Sequence, residues 1–180
     1  MKNEINEPIK KIENAKSGGF AQLGFESLIG KDVSYANQIL LDEGFENKKS
    51  SRNLYSILDR NKWFYGVPYN TISITPDENK MVISIIIHFN SIIDLNFYDA
   101  FVLDYGNPES IQVFDGYDSI GEWTKDDPNQ RVRKTTYKLK EGKFEDEPLF
   151  MFWNKNGYQI KSLTKHKQNL SLISFSIVPR

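Results

Sequence analysis

The chain has 180 residues, 39% hydrophobic and 13% aromatic, with 23 basic and 24 acidic side chains and no cysteine. That length fits one ordinary domain or two small ones sharing an interface, and the aromatic content excludes a disordered chain. The missing cysteine excludes disulfides, thiolate metal sites and cysteine nucleophiles, while the balanced charge argues against nucleic acid or an anionic membrane as the main partner.

Residues 1–19 are charged throughout and end at Ser17-Gly18-Gly19. They read as a flexible leader without the apolar stretch of a secretory signal. The expected location is cytoplasmic if Met1 is the natural start, and periplasmic or secreted if a signal was removed. FAQLGFESL, residues 20–28, reads as a turn of helix on the body. In the following segment Val33, Ala36, Ile39 and Leu40 recur at helical spacing, with Lys31 or Asp32 at the start and Gly44 as the left-handed stop.

Strands follow. LYSIL (54–58) alternates, and Trp63–Val67 runs into Pro68, which marks an edge or a strand end. In 69–75 the alternation predicts Ile72 and Ile74 on the core side, with Tyr69, Thr71 and Ser73 opposite. PDENK (76–80) is a turn, and MVISIIIHF (81–89) reads as a central strand with both faces covered. A second helix is expected in IIDLNFYDAFVLDYG, where Ile93, Phe97, Phe101 and Val102 share a face widened by Ile92 and Leu103; Gly106-Asn107-Pro108 stops it. SIQVFDGY, GEW, RVRKTTYKL, PLFMFW, GYQIKSL and NLSLISFSIV then read as strands.

Two offsets relate the halves. Leu41, Asp42 and Gly44 match Leu103, Asp104 and Gly106 at 62 positions, and Tyr69, Ile74 and Met81 match Tyr158, Leu163 and Leu170 at 89. The pattern fits a tandem duplication, and equally fits two ordinary helix ends and hairpins. The expected organisation is α+β: a helix-plus-antiparallel-sheet unit over 20–90 and a second over 91–180, with a charged hairpin inserted at about 117–143, in one sheet or two.

This helix, Trp-to-Tyr hairpin and apolar strand, repeated over roughly 28–178, resembles the tandem helix-plus-sheet domains of the β-lactamase inhibitor protein family and the outer-membrane assembly lipoproteins of BamE type. The chain departs from them in lacking their cysteines and a lipobox. The resemblance implies protein binding through aromatics on an exposed sheet face.

Catalytic motifs are absent: there is no nucleophile elbow, no phosphate-cradling loop, and only His88 and His166 as histidines. No catalytic residue, metal or cofactor is expected. The residues expected to touch a partner are Trp63, Tyr65, Tyr69, Tyr117, Glu122, Trp123, Trp153 and Tyr158, rimmed by the acidic stretch 115–127. Those rings either form that surface or fill a sheet core. The expected function is a non-catalytic immunity or inhibitor protein that blocks a toxin or enzyme, possible basic partners being steered by the acidic rim. The alternative is a small-molecule or lipid-binding domain with an aromatic-lined cavity.

Overall fold

The structure is a computed structural model that describes residues 24–48, 53–57, 62–124 and 131–178, with the backbone alone for 118–124 and 131–135. The leader, Leu58 and the stretch 125–130 lie outside the described residues.

The α+β expectation holds: two helices lie against one large antiparallel sheet. A 3-10 turn at Phe25–Leu28 precedes helix α1, Val33–Asp42. Asp32 caps α1 by accepting from the Ser34 amide and the Ser34 hydroxyl, so one of the four orphan amides is met by the cap side chain. Gly44, at φ 87°, takes the left-handed conformation that lets Phe45 fold back, and the Phe45 amide bonds to the Leu40 carbonyl. Helix α2, Leu95–Tyr105, begins later than expected, because Asp94 rather than an earlier residue accepts from the Phe97 amide. Ile93 is buried ahead of the helix, and Leu103, expected to widen the buried face, is 65% exposed because it lies on the far side of Phe97 and Phe101.

Strands β1 (Glu46–Lys48), β2 (Leu54–Ser56), β5 (Thr71–Pro76) and β6 (Val82–Phe89) come from the first half of the chain. The second half supplies β7 (Ser110–Thr124), β8 (Arg131–Glu141), β9 (Phe150–Lys155), β10 (Tyr158–Lys165) and β11 (Leu170–Ile177). They form a single nine-stranded sheet in the order β1-β2-β5-β6-β11-β10-β9-β7-β8. The halves meet where β6 pairs with β11, Ile87 opposite Ile173. Ile74 is buried, whereas Leu163 points to the other face from buried Ser162 and Thr164, so this matched pair does not share a side of the sheet.

Trp63–Val67 is not one strand. Tyr65 and Gly66, at φ 48° and 82°, turn the chain between β3 (Trp63–Phe64) and β4 (Val67–Pro68), a small separate hairpin. Tyr69 is therefore outside the β5 alternation and is buried, while Ile72 and Ile74 face the core as expected.

Both helices and the small hairpin contribute to one core. Ile85, Ile87 and Phe89 meet Ile173, Phe175 and Ile160 across the sheet and Phe97, Phe101 and Leu40 from the helices. Phe97 stacks on Phe101 at 5.5 Å, and Trp153 meets Phe101 edge-on at 5.1 Å. The opposite face of the sheet carries Ile86, Leu163, Leu172, Phe150 and Phe152, all half-buried, with the Lys161 ammonium 4.2 Å from the Phe150 ring centre. β6 is thus central but has only one fully buried face, which corrects the expectation of two.

Candidate functional site

Three of the eight expected contact residues belong to the core. Tyr65, Tyr69 and Trp153 are buried, and Trp153 is only 1% exposed. This corrects their expected place on an exposed face, and the reason is local. The Tyr65-Gly66 turn folds the β3–β4 hairpin onto α2, where the Tyr65 ring packs 5.1 Å from Phe101 and its hydroxyl donates to Asp104 at 2.5 Å. Burial and the Asp104 carboxylate hold the Tyr65 hydroxyl well above its ordinary range. The Trp153 indole N–H donates to the Gly106 carbonyl at 2.8 Å, securing the end of α2 to β9. The Tyr69 hydroxyl is raised by burial too, and it has no hydrogen-bond partner among the described residues. Trp63 and Tyr158 are half-buried, with Tyr158 packed against the core.

Tyr117 stands apart. β7 pairs with β9 only through Ser110–Gln112, and β8 is the last strand of the sheet. Beyond Gln112 the β7–β8 ladder therefore continues as a two-stranded ribbon with no third strand beside it among the described residues. Its register breaks between Phe114 and Tyr117, where Gly116 adopts φ 113°. Residues three apart on a regular strand point to opposite faces, but this irregularity brings both rings together. Phe114 and Tyr117 meet edge-on at 5.2 Å, and Tyr137, paired with Tyr117 across the ladder, lies 5.9 Å from it. The three are 44%, 57% and 51% exposed, a large apolar and aromatic area open to solvent. Sequence reasoning missed Phe114 and Tyr137; the Asp115-Gly116 pair inside an alternating stretch was the available signal.

Of the acidic residues expected at the rim, Asp115 is the one whose side chain is described, and basic residues match it. Asp115 bridges to Lys140 at 3.0 Å and Lys138 at 3.7 Å, and the Lys140 contact chiefly holds its carboxyl below the usual range. Glu122 and Trp123 stand opposite Arg133 and Val132 in the ladder; their side chains lie outside the described residues.

A second feature is a cleft of about 380 Å³ between the start of α2, the 3-10 turn Phe144–Asp146 and the end of β10. Its apolar walls include Ile93, Leu95 and Phe144, the last stacked on Tyr98 at 4.4 Å. Glu145, Glu147, Thr164 and His166 supply its polar groups. Among the described residues no three His, Asp or Glu side chains gather to hold a metal ion, and no helix is long and apolar enough to cross a membrane.

The chain matches no family model, no curated protein and no solved structure.

Proposed function

We propose that the protein is a non-catalytic binding module for another protein, and that the β7–β8 ribbon is its contact surface. The observation that carries this reading is the cluster of Phe114, Tyr117 and Tyr137, three large rings about half exposed on a ribbon that runs past the body of the sheet. Tyrosine and phenylalanine give large contact area with few rotatable bonds, which favours them as anchors of interfaces. Solvent exposure of such a cluster costs free energy in the isolated chain and is recovered when a partner covers it.

An immunity or inhibitor protein that occludes a toxin or an enzyme is the form this surface fits best. A two-stranded projection is narrow enough to enter a partner's cleft, and the body behind it supplies bulk. Asp115 adds little net charge to this surface, because two lysines match it. Binding is then carried by aromatic area, with a weak dependence on salt.

A photo-crosslinking residue in place of Tyr117 tests the reading. Covalent capture of one protein at that position, and none from a crosslinker at exposed Leu103 on α2, supports it; equal capture from both positions overturns it.

A further inference from the structure

The core of the described residues contains three buried polar side chains, Ser162, Thr164 and Ser171, each at most 2% exposed. They stand together. Ser162 and Thr164 alternate on the core side of β10, and Thr164 faces Ser171 across the β10–β11 ladder. Ser171 has a structural task, accepting from the Ile93 amide at 3.1 Å just ahead of α2. The other two have none. The Ser162 hydroxyl is buried without a partner, and the Thr164 hydroxyl takes part in no hydrogen bond of the described residues. For Ser162, burial of a hydroxyl without a partner is unfavourable. Thr164 lines the cleft beside α2, so its hydroxyl is reachable from there.

The remaining polar groups of that cleft give the sign of what it accepts. Glu145 and Glu147 are acceptors only when ionised. His166 contacts the Pro148 carbonyl through Nε2 at 3.3 Å, and since a carbonyl cannot donate, that nitrogen is the donor and is already engaged. A threonine hydroxyl accepts as readily as it donates. Acceptors thus outnumber donors, two of them carry negative charge, and the walls beside them are Ile93, Leu95 and Phe144.

We propose that this cleft binds a small amphipathic amine, a class of ligand separate from the protein partner of the ribbon. The ammonium supplies N–H donors to Thr164 and the glutamates, and the apolar body lies against Phe144, Ile93 and Leu95. A volume of about 380 Å³ admits a ligand of that size. An anion of the same shape is rejected by Glu145 and Glu147, and a neutral alcohol satisfies fewer of the acceptors.

The test is a titration of the ¹⁵N-labelled full chain with phenethylamine, 3-phenylpropionate and 2-phenylethanol, followed by amide shifts. The expected result is saturable shifts at Ile93, Thr164 and His166 with the amine alone, at a Kd on the order of 1 mM for so small a probe. Glu145→Gln with Glu147→Gln, both exposed, is expected to weaken the amine about tenfold, and the near-isosteric Thr164→Val by a similar factor. Leu95→Trp, at an exposed first turn of helix, is expected to fill the cleft and abolish the shifts. Equal binding of the carboxylate, shifts that ignore the glutamine pair, or no shifts with the amine would each overturn the assignment. Should Thr164→Val fail to fold, the glutamine pair and Leu95→Trp decide alone.

Discussion

The Tyr65 hydroxyl donates to the Asp104 carboxylate across 2.5 Å, fastening the tight β3–β4 turn to the last turn of α2. The ring beneath that bond is wedged among Phe64, Phe97 and Phe101. A residue at positive φ is thus held in place both by its ring and by its hydroxyl. Tyr65→Phe keeps the packing and removes the bond. It is expected to lower stability by about 1–2 kcal/mol, since the bond is to a charged acceptor and Asp104 keeps access to water. Urea unfolding followed by fluorescence measures it, and an unchanged midpoint would show that the bond contributes nothing.

Trp153→Ala is expected to cost about 3–5 kcal/mol, because it empties a fully buried site and leaves the Gly106 carbonyl without its indole donor. The loss appears in the unfolding transition. Any loss of partner binding in that variant reports unfolding and says nothing about an interface.

Burial lowers the pKa of His88, whose Nε2 shares a 2.7 Å hydrogen bond with the Ser73 hydroxyl. The folded state then binds its proton less readily than the unfolded chain. Stability from this group is complete above the unfolded value of about 6.5 and is lost as pH falls from there through the lower folded value. Unfolding midpoints are expected to decline below about pH 6.5, and His88→Gln to flatten that decline. The carboxyl pKa values of Asp32, Glu46 and Asp115 are lowered as well. Their contributions are complete above the ordinary carboxylate range and are lost as pH falls through the lower folded values, in a separate and more acidic window.

Ser162→Ala removes a buried hydroxyl that has no partner among the described residues. Stability is expected to rise by up to about 1 kcal/mol, read as a higher denaturant midpoint. A clear loss would mean that the hydroxyl is engaged in the folded protein.

Much of this architecture is written locally in the chain. Asp32 and Asp94 start the helices, Gly44 and Gly106 end them, and the alternation around Ile72 and Ile74 places β5 correctly. The rings were harder to place, because alternation assigns a face only while a strand stays regular. Tyr65-Gly66 folds a supposed strand into a hairpin, so Tyr65 and Tyr69 turn inward. The irregularity at Gly116 turns Phe114 and Tyr117 to the same side. Trp153 alternates as expected, yet nothing in its own strand indicates which face α2 covers. That depends on β9 lying between β10 and β7, a pairing of distant segments.

The most direct test of the central claim is retention of a partner from lysate of the protein's own organism by surface variants. Phe114→Ser, Tyr117→Ser and Tyr137→Ser are combined in one chain; Leu41→Ser with Leu103→Ser, exposed elsewhere, serve as the control. Thermal melts of both establish that they fold. The account predicts a stoichiometric protein partner held by the wild type and the leucine control and lost by the ribbon variant. Retention of that partner by the ribbon variant, or no partner held by any of the three, would contradict it.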